Sequence, residues 1–457
     1  MNAIILSAVW GVVMMYSGIL LKKKSSAKFV AITGIILLII VNWLEFAGLP
    51  FFNINTKGML QFGTFGLLFN TVAYGSTLIY FLLSGADMED VGKNVYDYFA
   101  LIFFVLCGVA IVSSFQSLLM LFIGIEIISI PLYILAGSDK KNLKSNEASL
   151  KYFLMGSFST GLMLMGITLL YGAFGSFYMS AMNIGMAELS PLMALGIVLL
   201  MVSMAFKASA APFHFWTPDV YDGSPTVFTS FMATVVKAAV FVAFLRLFEN
   251  AFGKMHGHWQ LLAAIITAVT LIIGNVTAVF QHSVKRMLAY SSIAQAGFMM
   301  LALFAMNGEG KQGLILYTAT YSLATIGLFA VLVKMKDYTY DGFNGLGKHQ
   351  PVLAFTSTIF LLSLAGIPLT GGFFAKYFML MAAVKSGQMF WLVITGIICA
   401  AISVYYYFRI IQSMYFKDAE DPGIVVSTGF KTILVLTVAL IILLGLKPGI
   451  LLNLMNV

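Results

Sequence analysis

Apolar runs, most of them long enough to cross a bilayer, recur from one end of this chain to the other. A helix rises 1.5 Å per residue, so about 20 apolar residues span a hydrocarbon core of roughly 30 Å. Fourteen such runs are marked, at roughly 3–21, 28–47, 62–83, 98–114, 115–136, 146–171, 192–210, 226–248, 259–280, 286–306, 312–333, 352–367, 389–412 and 428–448. Only 10% of the 457 residues are charged and 60% are hydrophobic, whereas soluble domains carry about 25% charged residues. The expected fold is therefore all-α and polytopic, inserted in a membrane.

The same composition excludes several function classes. Cys107 and Cys399 both lie inside apolar runs with no CxxC partner, which argues against a disulfide scaffold, a zinc site or an iron–sulfur cluster. The net charge of +8 does not point to nucleic acid, because the basic residues gather in the connections between runs. The first run has no basic residue before it and Lys22, Lys23 and Lys24 after it, the reverse of a secretory signal. It reads as a retained span with its N-terminus outside. Alternating from there, the inner loops include 22–28, 139–144, 281–286, 334–349 and 416–423. They hold about 14 Lys and Arg against about 5 in the outer loops, and an even number of spans puts both termini outside. The acidic stretch DMEDVGKNVYD (87–97) is an odd companion for the other inner loops.

Two prolines, Pro212 and Pro368, interrupt the seventh and twelfth runs 156 residues apart. With five runs per block they suggest two repeats, and an odd number of spans forces the copies into opposite orientations. The expected organisation is a three-helix segment at 1–97, a first five-helix repeat at 98–248, an inverted second repeat at 259–415 and a C-terminal helix at 428–457. The seventh and twelfth helices are expected to be discontinuous.

Charges inside the runs are few, and each costs roughly 2.5–3.5 kcal/mol near a bilayer centre. Glu126 (LFIGIEIISIPLY) and Lys237 (FMATVVKAAVFVAF) are central; Lys151, Lys207 and Lys376 lie nearer the ends of their runs. Lys151 can instead be read as a residue snorkelling to an interface, and Lys207 as the plain end of its helix. Lys285, Arg286 and Arg409 sit near the inner interface, where ordinary topology signals also account for them. An exposed lysine holds its proton permanently, but burial disfavours the ammonium and a nearby carboxylate restores it. A pair such as Glu126 and Lys207 can therefore load and release a proton as it forms and opens. The stretch KASAAPFHFWTPDVYDGSPT (207–226) sets Lys207 and His214 beside a proline-broken helix, where freed carbonyls require protein or water.

Other motifs fail. GFNGLGKH (342–349) imitates a phosphate-binding loop, but His349 stands where Ser or Thr belongs and no strand precedes it. His256 and His258 have no third metal ligand in sequence, and no GxGxxG follows a strand pattern.

Glu126 before a proline, Lys151, Lys207, PFHFWTPDVYDGSPT (212–226), ATVVKAA (233–239), VKRMLAYSSIAQAGF (284–298) and LAGIPLTGGFFAKYF (364–378) together resemble the antiporter-like membrane subunits of respiratory complex I. The match runs from about residue 98 to 415. WTPDVYDGSPT followed by ATVVK is similar to the N-type branch; the L- and M-type subunits and the Mrp-type sodium/proton antiporter subunits show a form nearer PDAH-EAPT. The chain ends about ten residues after its last run, too few for the lateral helix of an L-type subunit. The resemblance implies a proton-translocating subunit without cofactors of its own, in a complex that uses NADH, FMN, iron–sulfur clusters and quinone. Its partners would be the other membrane subunits and the lipid bilayer, with no nucleic acid, and its place the bacterial plasma membrane. Glu126 then looks like the fifth-helix glutamate facing the seventh-helix Lys207, Lys237 like the central eighth-helix lysine, and Lys376 like the outlet lysine. Lys151, His214 and Lys285 complete the implied relay. No acidic residue in the second half matches Glu126, which favours one path crossing both halves. The alternative, a cation/proton antiporter of Mrp type, would need more carboxylate or carbonyl oxygen than this relay offers.

Overall fold

The structure, a computed structural model, describes residues 1–457 apart from 22, 53, 186–187, 420–422 and 457. The expected inner-side charge at Lys22 and part of the 416–423 loop thus lie outside the described residues. Among the described residues the architecture is helical, and β pairing is confined to isolated bridges at Leu60–Phe115, Ser117–Tyr178 and Ser283–Thr339. Each apolar run lies in a helix. Among the described residues, eleven helical stretches are long and apolar enough to cross a membrane, and two shorter apolar helices, Pro191–Lys207 and Pro351–Ala365, accompany them. One stretch, Thr226–Val279, is helical for 54 residues, or about 80 Å. That exceeds two bilayer cores, and a 3₁₀ turn at Gly253–Met255 divides it.

Hydropathy alone does not sort these helices into inner and outer ones: Val95–Val112 and Ser25–Phe46 are equally apolar, yet the first is mostly enclosed and the second mostly uncovered. Val284–Ala305 and Gly308–Lys334 are enclosed by protein almost throughout, whereas Asn2–Leu20 and Ser25–Phe46 leave most of their length uncovered. The enclosed pair carries Lys285, Ser291, Ser292, Gln295, Tyr317, Thr320 and Tyr321. Side chains that lipid cannot satisfy are placed where protein can.

The connections sort into two groups. At one end Lys334 pairs with Asp87, Lys348 with Asp418, and Val284 N–H donates to Tyr338 C=O (2.7 Å). At the other, Lys311 pairs with Glu249 and Lys385 with Glu309, while Leu118 N–H donates to Phe177 C=O (2.9 Å). The helix Gly308–Lys334 packs on Thr64–Ser84, and the last long helix, Thr428–Leu446, also touches Thr64–Ser84, so the N-terminal segment is held against the end of the chain.

The helical path is interrupted at both proline sites. Pro191–Lys207 stops, Ser209 takes a left-handed φ of 62°, the Ala211–Pro212 bond is cis, and helix resumes at Trp216–Gly223. The orphaned backbone finds side-chain partners: Trp216 Nε1 donates to Phe206 C=O (3.0 Å), and Ala211 N–H donates to Thr270 Oγ1 (2.9 Å). The second interruption separates Pro351–Ala365 from Gly371–Lys385. Gly366 turns the chain at φ 83°, and a Cβ on Gly372 would lie 1.8 Å from Ser363 C=O. Only glycine lets the two halves approach this closely.

Candidate functional site

The Glu126 helix, Leu118–Ala136, brings its carboxylate to the end of Pro191–Lys207. Glu126 Oε1 lies 3.8 Å from Lys207 Nζ. Thr160 Oγ1 donates to the same carboxylate (2.7 Å), and Lys207 donates to Ser129 Oγ (3.1 Å) and Tyr133 OH (3.4 Å). Ser129 and Tyr133 lie one and two turns beyond Glu126 on its helix, so one face of that helix holds the whole setting of Lys207. At 3.8 Å the pair attracts by roughly 4 kcal/mol at an effective dielectric near 20.

Lys237 is 2% exposed. It follows a π-helical turn, Met232–Val236, and donates to Ser292 C=O and Ser292 Oγ, both at 2.9 Å. Tyr321 OH caps the carbonyl of Ala233 within that turn (2.9 Å). An aromatic wall joins the surroundings of Lys207 and Lys237. Lys207 lies over Tyr133 (6.0 Å), Tyr133 meets Tyr152 (4.8 Å), Tyr152 stacks on Trp216 (4.7 Å), Trp216 meets Tyr221 (6.0 Å), and Tyr221 faces Lys237 (5.8 Å).

Beyond Ser292 the polar groups continue along Val284–Ala305. Ser291 and Tyr407 share a hydrogen bond. Gln295 Nε2 donates to Tyr407 OH and to Leu364 C=O, each at 3.0 Å, and Tyr317 OH donates to Gln295 Oε1. Leu364 and Ala365 close the helix before the second interruption, so their carbonyls are orphans of a helix end. Lys376 takes the second one, donating to Ala365 C=O at 2.9 Å, with Phe298 beneath its ammonium (4.8 Å).

Three expected relay members, Lys151, Lys285 and His214, have surroundings of their own. Lys151 is 40% exposed and pairs with Glu147 and Asp219, both at 2.8 Å. Arg286 reaches the same Asp219 at 3.1 Å. The structure does not bring Lys151 to the Glu126–Lys207 pair. Lys285 is 4% exposed and donates to the carbonyls of Asp222 (2.8 Å) and Ser224 (2.7 Å). His214, 5% exposed, lies within the first interruption against Phe215, and its Nδ1 has no partner. The sequence reading missed Asp219, Ser292, Tyr317 and Tyr407. Gln295 carried a signal, since SSIAQ sets three polar residues inside an apolar run. Among the described residues no group of three or more His, Cys, Asp or Glu is placed to hold a metal ion.

A helical membrane protein with buried lysines strung through two broken helices belongs to the class of ion-translocating membrane subunits. Residues 116–403 match the family described as NADH:quinone oxidoreductase/Mrp antiporter, TM. A NADH-quinone oxidoreductase subunit N from Cytophaga hutchinsonii is 41% identical over the full length of both chains. A chain of respiratory complex I from Thermus thermophilus, solved with bound aureothin, is 32% identical with a TM-score of 0.83, covering 99% of this chain and 98% of that one. A chain of the Mrp complex from a Dietzia species shares the fold at a TM-score of 0.85 but only 18% identity, covering 99% of this chain and 96% of its own. The chain belongs to the antiporter-like subunits of the NADH:quinone oxidoreductase/Mrp family, among relatives named NADH-quinone oxidoreductase subunit N.

Proposed function

We propose that this chain is a proton-translocating membrane subunit of an NADH-quinone oxidoreductase. It moves protons through the Glu126–Lys207, Lys237 and Lys376 sites while other subunits carry electrons from NADH to quinone. The observation that carries the reading is the Glu126–Lys207 pair at 3.8 Å, continued by Lys237 and Lys376 on uncharged partners. Opening the pair takes the carboxylate's support from the ammonium and frees its proton; closing it captures another. Hydroxyl and amide groups between the lysines can accept and donate in turn. The chain contributes transport and no redox centre, so FMN and iron–sulfur chemistry belong to its partners.

The Mrp-type reading, exchange of a metal cation for protons, is less supported. It requires oxygen ligands gathered around the ion, whereas one carboxylate, Glu126, serves this path. We further propose fourteen crossings in a bacterial plasma membrane with both termini outside, supported by the basic residues at one end. The division into 1–97, two inverted five-helix repeats at 98–248 and 259–415, and a final helix at 428–457 is supported by the matched interruptions. Lys151 and His214 act at the margins of the relay in this reading, and Lys285 at its inner end.

The test is Lys237→Ala and Lys237→Arg in the assembled complex, with proton pumping in vesicles measured against quinone-reductase rate. Both are expected to abolish this subunit's share of pumping, Arg because it keeps its proton at any accessible pH. Full pumping by the Arg variant would show that charge alone matters there and would end the relay role.

A further inference from the structure

Four spans terminate together at the lysine-rich end of the molecule. Ser25–Phe46 and Thr428–Leu446 begin there, and Thr64–Ser84 and Gly308–Lys334 finish there. Thr64–Ser84 packs against both Ser25–Phe46 and Thr428–Leu446. Between these helix ends lies a hollow of about 450 Å³, lined among others by Lys28, Leu82, Lys334, Val426, Gly429 and Ile433. That volume falls within the roughly 300–1,000 Å³ of small-ligand sites.

The lining divides by chemistry. Lys28 is half-buried, donates to Leu82 C=O (2.8 Å) and forms no ion pair among the described residues. Lys334 pairs with Asp87 and lies over the Phe430 ring (5.3 Å). Two ammonium groups thus share one carboxylate, and one positive charge is left over. An ammonium has three donors, so Lys28 keeps two for a further acceptor. The first turn of Thr428–Leu446 borders the same hollow: Ser427 Oγ accepts from Phe430 N–H (3.2 Å), and Gly429 leaves open space where a Cβ would stand. A helix start of this kind favours an anion.

The remaining wall is apolar and continues along the membrane. Ile433 lines the hollow, and Leu436, Leu440 and Leu443 follow it at steps of three, four and three residues, which keeps them on one stripe of the helix. All three leucines are exposed. A surplus positive charge where spans end, opening on an uncovered apolar stripe, is complementary to an anionic head carried on hydrocarbon tails.

We propose that this hollow binds the headgroup of an anionic phospholipid, with one acyl chain lying along the stripe from Ile433 to Leu443. The phosphodiester accepts from Lys28 and from the first turn of Thr428–Leu446, and it cancels the charge that Asp87 leaves unanswered. Basic pockets between membrane helices take up such headgroups. The lipid ties Ser25–Phe46 to Thr428–Leu446 across Thr64–Ser84, which both of them touch. This role is independent of the proton path.

The test uses the assembled complex in nanodiscs doped with photoactivatable phosphatidylglycerol or phosphatidylcholine, and counts cross-links to residues 425–443. Phosphatidylglycerol is expected to label the segment about tenfold more than phosphatidylcholine. Lys28→Gln is expected to lower that labelling about tenfold, the loss that follows removal of one charge-assisted hydrogen bond, and Lys28→Arg to restore most of it. If Lys28→Gln fails to assemble, the comparison of the two lipids on the unaltered complex decides. Equal labelling by both lipids, or by neither because a neighbouring subunit fills the hollow, would overturn the site. Millimolar inorganic phosphate is expected to leave the labelling unchanged; displacement by it would assign the hollow to a free anion and overturn the lipid.

Discussion

Glu126 and Lys207 share their site with neutral groups, and the difference between charge and shape at that site can be measured. Glu126→Gln keeps an acceptor for Thr160 but leaves the Lys207 ammonium without its counter-charge. Removing one partner of a buried pair shifts energies by about 3–5 kcal/mol, so this subunit's pumping is expected to fall more than about tenfold. Glu126→Asp, with the charge kept and the reach shortened, is expected to retain part of it; pumping against quinone reduction, as for Lys237, is the measurement. At Ser292 the lysine uses both a hydroxyl and a carbonyl, so Ser292→Ala removes one acceptor of two. Its effect is expected within about fivefold, near 1 kcal/mol. The charged members of this candidate path stand out in the sequence because a charge inside a membrane span is costly enough to need a reason. Ser292, Tyr317 and Tyr407 do not, since serine and tyrosine sit in membrane helices for many reasons and only packing selects these three.

At the level of elements, both interruptions were legible because proline and glycine mark them. The π-helical turn at Met232–Val236 was not, since MATVV contains neither residue. The interruption before Lys376 depends on close backbone approach. Gly372→Ala would force a Cβ against Ser363 C=O, and overpacking of this kind costs about 1–3 kcal/mol or more. The expected result is a lower melting temperature and reduced assembly into the complex, read by thermal denaturation and by native electrophoresis of solubilised membranes. Gly366→Ala combines a strained φ of 83° with a Cβ 2.8 Å from the Lys376 Cδ. It is expected to impair pumping as well, because it moves the lysine itself.

For the whole molecule, the sequence described each helix against water but not against its neighbours. Hydropathy is nearly blind to whether an apolar face meets lipid or protein, so the enclosure of Val284–Ala305 and Gly308–Lys334 emerged only from packing. The two ends offer a direct test of the proposed orientation. Lys348→Cys lies at the end that holds Lys334 and Asp87, and Lys254→Cys at the end that holds Lys311 and Glu249; both side chains are exposed. A membrane-impermeant thiol reagent is expected to label position 254 from outside intact cells and position 348 only after the membrane is opened. The reverse pattern would invert the topology.

Glu126 is not fully enclosed: its side chain is 22% exposed, on a helix face that also presents Ile123 and Ile130 outward. A carboxylate on an oily wall is tolerable beside another protein and poorly tolerated beside lipid tails. Extracted alone into detergent, the subunit would carry an unfinished seam there, one that solvent or a shift of Lys207 has to close. In the proposed relay, the wall that carries Glu126 is completed by whichever subunit stands next to it.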